Sequence, residues 1–296
     1  MRTDVLWTNL SRRGIAQRMA DLGTPVDPSV VQQLLDRFRL GRRQAFKTLA
    51  MGFTRDRNDQ FENIAFYKNL FLDSLDPILS IDTKKRELLG LFYRDGQSYS
   101  TSTQRVWDHD FPSFAEGVVI PHGIYDLKRQ RGYINLGISR DTSEFACDSL
   151  FQWWIAEGHA AYAHAKAMLL LCDCGGSNSF SQYLFKQDLQ ALANRTGLEI
   201  RVAHYPPYTS KYNPIEHRLF PHLSRACQGV VFQNIKQVQY YMAQAATKTG
   251  LSVAVNIIDK IYQAGRKVAA GFKKTMRIAF DKLLPRLNYR AVPAPG

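Results

Sequence analysis

Apolar residues along the chain change their spacing twice. Ile15, Met19 and Leu22 recur at helical intervals after Ser11, a good N-cap, and before Gly23, a helix stop. Asp27 and Pro28 have N-cap and N1 chemistry, and Val30, Val31, Leu34 and Leu35 follow on one helical face. A charge-rich linker over 54–63 leads to a helical stretch over 66–72. The pattern then turns to strands. An apolar run over 77–82 ends in Asp82, 87–93 reads as its hairpin partner, and 117–125 and 132–138 supply two more. Asp141 and Glu144 have the spacing of a capping box before a helix that carries Ala146, Leu150 and Trp154. The strongly apolar run 167–172 predicts a central strand that ends in Asp173 and a Gly-Gly-Ser turn. Ser179 and Gln182 open a helix with Phe185, Leu189, Leu192 and Ala193 on one face, and 198–204 reads as a further strand. Pro206 and Pro207 force a turn, after which Asn213, Pro214 and Glu216 occupy the Ncap, N1 and N3 positions of another helix. The remainder reads as mostly helical.

Strand, strand, strand, helix, strand, helix, strand, helix predicts the α/β class, a mixed sheet flanked by helices in an order that matches the RNase H-like fold. The expected organisation is a helix-turn-helix segment over 1–53, a linker and helix over 54–75, the α/β domain over 76–235, and a basic, mostly helical segment over 236–296. Helix, short turn, helix offers its second helix to a DNA major groove. Arg37, Arg39, Arg42, Arg43 and Lys47 follow it, suited to phosphate contacts.

Charge distribution strengthens the polyanion reading. Residues 1–75 carry a net +4, residues 76–235 are neutral, and residues 236–296 hold 11 Lys and Arg against 2 Asp and Glu. A neutral centre with basic ends suits a polyanion gripped by flanking segments. Lys84, Lys85, Arg266, Lys267, Lys273 and Lys274 are further candidates for DNA contact. No run approaches the roughly 18 apolar residues of a membrane span. The first residues lack a signal pattern, so the expectation is a cytoplasmic protein, at the nucleoid when bound to DNA. Cys147, Cys172, Cys174 and Cys227 read as small buried side chains, since no pair has zinc-site spacing.

Three acids stand at element ends: Asp82, Asp173 and Glu216. Each has a plain structural explanation: an ion pair with the lysines after Asp82, a turn former at Asp173, a capping-box partner at Glu216. Together they have another. If the two strands are neighbours, Asp82 and Asp173 lie roughly 5 Å apart, and a helix over that sheet edge can bring Glu216 to them. Clustered carboxylates repel one another unless a hard cation neutralises them. Two Mg²⁺ ions roughly 3.5–4 Å apart would serve an in-line phosphoryl transfer, with Asp82 bridging them.

The blocks around these acids resemble those of a known family. Ser80-Ile-Asp-Thr-Lys-Lys-Arg-Glu-Leu-Leu-Gly90, PHGIYDLKRQRGYINLGISRDTSEFA over 121–146, Asp173 with CGGSN over 174–178, and HYPPYTSKYNPIEHRLF over 204–220 are similar to the motif set of the Rhodopirellula-type DDE transposases. The likeness runs from about Trp7 to Tyr289, departing at Cys174, Tyr212 and Pro214. It implies catalytic and metal-binding roles for Asp82, Asp173 and Glu216, with Mg²⁺ or Mn²⁺ as cofactor. It further implies that terminal inverted repeats and target DNA are the partners, and that the active complex is a homo-oligomer. Asn178, Asn213 and His217 are implied as supporting residues, and Lys211 and Arg218 as DNA contacts. Two other readings stay open, a catalytically silent DNA-binding relative and an RNase H-like nuclease that cuts without joining.

Overall fold

A six-residue strand, β1 (Ile78–Thr83), runs through the middle of the sheet with both edges paired. On one side it is antiparallel to β3 (Gly117–Asp126), itself antiparallel to β4 (Arg131–Gly137). On the other it is parallel to β5 (Ala167–Cys172), which is parallel to β6 (Glu199–His204). The order β4–β3–β1–β5–β6, three antiparallel strands followed by two parallel to the first, is the RNase H-like core. This computed structural model describes residues 8–43, 56–176 and 182–295. Within it the chain divides into two compact units, residues 1–49 and 50–296.

Three further strands come from the C-terminal segment. β7 (Ser252–Ile258) adds beside β4, while β9 (Asn288–Ala291) pairs with β6 and carries β8 (Ile278–Phe280) at the far edge. The expectation of a mostly helical 236–296 is therefore corrected. The run SVAVNII alternates across the sheet, Val253, Val255 and Ile257 packing to one side and Ala254 to the other, as β-branched residues favour. A second correction concerns β2 (Glu87–Leu89), which pairs with β3 rather than with β1. Both edges of β1 are already occupied, so no hairpin partner can add there.

Helices cover both faces. On one, α4 (Ser143–Trp153) and α6 (Tyr183–Thr196) pack Leu150, Trp153, Phe185, Leu189 and Leu192 onto Leu79, Ile81, Met168, Leu170, Ile200 and Val202. Most of these side chains are wholly buried, each contributing about 1.5–3 kcal/mol relative to exposure. A π-helical turn (Trp154–Gly158) and the short α5 (His159–Ala161) extend α4. On the other face α3 (Arg57–Leu72) sets Ile64 and Phe71 on Ile78, Leu169 and Leu171. Beside it, α7 (Pro214–Arg218), α8 (Phe220–Ala226) and α9 (Ile235–Ala243) cover Ile134 and Leu136. A single turn, α10 (Phe272–Thr275), precedes β8. Among the described residues no helix is long and apolar enough to cross a membrane.

In the N-terminal unit, α1 (Arg12–Asp21) and α2 (Pro28–Arg37) start where the caps place them. Ser11 Oγ accepts from Gly14 N–H at 3.1 Å and Asp27 Oδ1 from Ser29 N–H at 2.8 Å. Ala16 and Val31 are buried between them.

Candidate active site

The β1–β5 ladder pairs Ile78 with Leu169 and Ser80 with Leu171, and the same offset carries Asp82 onto Asp173, one residue past the end of β5. Alternation sets both acids on the sheet face covered by α3 and α7, because Ile78, Leu169 and Leu171 share that face. Glu216, in the first turn of α7, comes down onto the same edge, near enough to raise the Asp82 carboxyl. Room for this approach comes from Gly123, which pairs with Asp82 across the β1–β3 ladder. A Cβ there would stand 2.8 Å from Ile215 Cδ1 and 2.7 Å from Phe220 Cε1, both on the helices that carry or follow Glu216.

The consequence is electrostatic. Burial first, then the charge of Asp173, push the Asp82 carboxyl up from 3.8 to about 8; Glu216 adds to the rise, and a 2.7 Å bond from Thr83 N–H opposes it. Asp173 is itself raised, by burial and by the charge of Asp141, while Gly175 N–H donates to its Oδ1 at 3.2 Å. Such a set is short of positive charge. Its donors are hard carboxylate oxygens, which suit Mg²⁺ or Mn²⁺. Among the described residues no three Asp, Glu, His or Cys side chains close into a finished cage. The fit therefore rests on donor chemistry and on the charge deficit at Asp82.

His204 and Tyr289, not read as functional from sequence, hold the acids in place together with Asn213, which was. His204, at the end of β6, lies 2.8 Å through Nδ1 from the carbonyl of Asp173 and 2.9 Å through Nε2 from the Tyr289 hydroxyl. A carbonyl only accepts, so Nδ1 carries the proton and Nε2 accepts from Tyr289. Burial lowers His204 to about 4 and keeps the ring neutral. Tyr289 belongs to β9, so the C-terminal segment reaches the Asp173 turn through this pair. Asn213 does not cap α7 with its side chain. Its Nδ2 donates to the Ile81 carbonyl at 3.1 Å, its Oδ1 accepts from Ser80 Oγ, and Ser80 in turn accepts Ile215 N–H. Asp141 does not cap α4 either. Thr142 accepts from Phe145 N–H at 3.2 Å, leaving Asp141 to accept from Thr83 Oγ1 at 3.3 Å.

Basic candidates fall into distinct situations. Lys211 and Arg218 flank Glu216 and are exposed, and His217 Nε2 donates to the Lys211 carbonyl. Lys84 pairs with Glu87 at 2.8 Å, not with Asp82, while Lys85 is exposed. Both line a cleft of about 800 Å³ with Arg86, Tyr93 and Gln228. Lys267, Lys273 and Lys274 are exposed, but Arg266 is tied to Asp188 at 2.5 Å and Glu144 at 3.4 Å. Arg37, Arg39, Arg42 and Arg43 are exposed in the N-terminal unit. Lys47 and Asn178 lie outside the described residues. The four cysteines are free thiols.

Comparison with known proteins adds the following. A model of the Rhodopirellula transposase DDE domain matches residues 1–293. Among solved structures the chain is similar to a Mos1 transposase paired-end complex with left transposon end, at 14% identity and a TM-score of 0.47, over 79% of this chain and 65% of that one. It is similar also to a Mos1 mariner paired end complex with Mn, at 14% identity and 0.46 over 79% and 65%. The Mos1 Strand Transfer Complex matches at 13% identity and 0.47 over 79% and 64%. The chain thus spans less than two thirds of the length of these chains. No curated protein sequence matches it.

Proposed function

Because the chain belongs to the Rhodopirellula transposase DDE domain family, we propose that it cleaves transposon ends and joins them to target DNA, using Asp82, Asp173 and Glu216 as catalytic, metal-holding carboxylates. One arrangement carries the reading: Asp82 and Asp173 end neighbouring parallel strands, and Glu216 at the start of α7 lies near enough for its charge to act on the Asp82 carboxyl, as three ligands of a shared cation would. Asp82, Asp173 and Glu216 would hold two Mg²⁺ or Mn²⁺ ions, which would supply the Lewis acidity for an attacking and a departing oxygen.

The remaining work falls to the chain itself. Asp82 takes the central place between the other two acids. His204 and Tyr289 hold the Asp173 turn, and Asn213 holds the start of α7. Lys211 and Arg218, exposed beside Glu216, meet the phosphates next to the scissile bond. Lys84, Lys85, Lys267, Lys273 and Lys274 extend that contact along the DNA. Arg37, Arg39, Arg42 and Arg43 grip the terminal inverted repeat outside the cut, and a multimer of the chain brings two ends together.

The test is a labelled DNA carrying the element's end, incubated with supercoiled target and Mg²⁺ or Mn²⁺. Wild type is expected to give a joined, metal-dependent product and Asp173→Asn none. Cutting without joining would make the protein a nuclease. Tight binding without any product would make it a DNA-binding relative.

A further inference from the structure

Ser80 is wholly buried in β1, two residues before Asp82 and on the same face of the sheet. Its hydroxyl donates to Asn213 Oδ1 at 2.5 Å and accepts Ile215 N–H at 2.9 Å. Asn213, also wholly buried, is pinned from its other end by the Ile81 carbonyl at 3.1 Å. These bonds join positions 132 to 135 residues apart in sequence.

Ile215 N–H is one of the donors that the first turn of a helix leaves without a partner. The residue at the N-cap normally serves it, but Asn213 makes no capping bond. Ser80 takes that role from the strand, and the next residue after Ile215 is Glu216. A serine between the apolar Leu79 and Ile81 would be a costly choice for packing alone, since a buried hydroxyl must be satisfied. Here both its donor and its acceptor capacity are used, and both point at the start of α7.

We propose that Ser80 is a positioning residue for Glu216: it caps α7 from β1 and so sets Glu216 against Asp82 before metal or DNA arrives. The proposal rests on the assignment of Asp82 and Glu216 as a metal-holding pair. A strand that carries one ligand and caps the helix carrying another makes the two carboxylates move as one body. Loss of the hydroxyl leaves the strand intact and frees the helix start.

The test uses the full chain with Mn²⁺ as probe, its binding followed by the electron paramagnetic resonance of free Mn²⁺. Ser80→Ala is expected to weaken Mn²⁺ binding by about 10–100-fold, the range typical of groups that orient metal ligands. The loss should match that of Glu216→Gln and should not grow in the double variant, while KM for the DNA end stays unchanged and kcat falls. Wild-type Mn²⁺ affinity in folded Ser80→Ala, or losses that add in the double variant, would overturn the proposal. If Ser80→Ala does not fold, Ser80→Cys, close in volume but only a weak hydrogen-bond acceptor, weakens the same link to Ile215 N–H and is held to the same two criteria. Asp82→Asn controls for the underlying assignment, because wild type and Asp82→Asn binding Mn²⁺ alike would sink that assignment. The positioning role is then read from hydrogen exchange in the metal-free protein. The Ile215 amide should exchange at least about tenfold faster in Ser80→Ala, with the β1 and β5 amides unchanged. Unchanged Ile215 exchange would overturn it.

Discussion

Asp82 and Asp173 stand side by side because β1 and β5 are parallel neighbours, and the second-largest cause of the raised Asp82 carboxyl is the charge of Asp173. Parallel strands end together, so their last residues meet without any loop having to bring them there. Only Glu216 arrives from another layer. Removing one of three ligands should therefore disable the chemistry even where a cation still binds weakly. Asp82→Asn, Asp173→Asn and Glu216→Gln are each expected to lower DNA cleavage by at least about 10³-fold, the scale on which groups acting as a unit fail. Binding to the DNA end should stay within about twofold, read by a gel-shift titration in parallel with the cleavage assay.

The raised Asp82 carboxyl makes a stability prediction with a definite sign. Its proton is held more tightly by the folded chain, at about 8, than by the unfolded one, at 3.8. The stabilisation is full below about pH 4 and is lost as pH rises through about 8. Metal-free protein should lose up to about 2 kcal/mol between about pH 6.5 and 8.5 from this group, and Asp82→Asn should flatten that fall. His122 and His204, buried and lowered to about 4, act in the opposite sense, stabilising above about 6.5 and losing that as pH falls through 4. They cancel in the difference between wild type and variant. Chemical denaturation at stepped pH measures it, and equal slopes would contradict the burial of Asp82 among like charges.

Gly123 tests how tightly the helix layer is set. Its missing Cβ is the space that Ile215 and Phe220 occupy. Gly123→Ala should cost about 1–3 kcal/mol as overpacking and lower cleavage well beyond that fraction unfolded, because α7 must back away from Asp82. A folded Gly123→Ala with wild-type cleavage would show that Glu216 has slack.

Much of this was legible before any coordinates. The acids lie at the ends of elements whose apolar periods are strong, and Asp82, Asp173 and Glu216 fall where strand and helix boundaries place them. Ser80 was not legible as a functional residue, because a single hydroxyl in an apolar strand declares nothing about a partner 135 residues away. The capping box was read at Asp141, and only the backbone decides that its neighbour Thr142 faces Phe145 N–H. The strand 252–258 was hidden by the basic composition around it and by pairing with 131–137, a contact no local pattern encodes. His204 and Tyr289 meet for the same reason, across neighbouring strands 85 residues apart in sequence.

The basic C-terminal residues divide into two kinds, and salt separates them. Lys273 and Lys274 are exposed, Lys273 lying 4.2 Å over the ring of Tyr183, with no acid paired to either among the described residues. Arg266 is held by Asp188, whose side chain is only 8% exposed, and by Glu144. A cation already neutralised by two carboxylates has little charge left for a phosphate, and drawing it away would leave Asp188 unpaired. Lys273→Ala with Lys274→Ala should weaken DNA binding and reduce the slope of log affinity against log salt by about 2, one for each counterion-releasing contact. Arg266→Ala should leave that slope unchanged and instead cost roughly 1–3 kcal/mol of stability, discounted for its partial exposure. Affinity titrations across a range of salt, with denaturation of the same proteins, read both quantities. A lowered slope in Arg266→Ala would return it to the DNA surface, and an unchanged slope in the double lysine variant would remove those lysines from it.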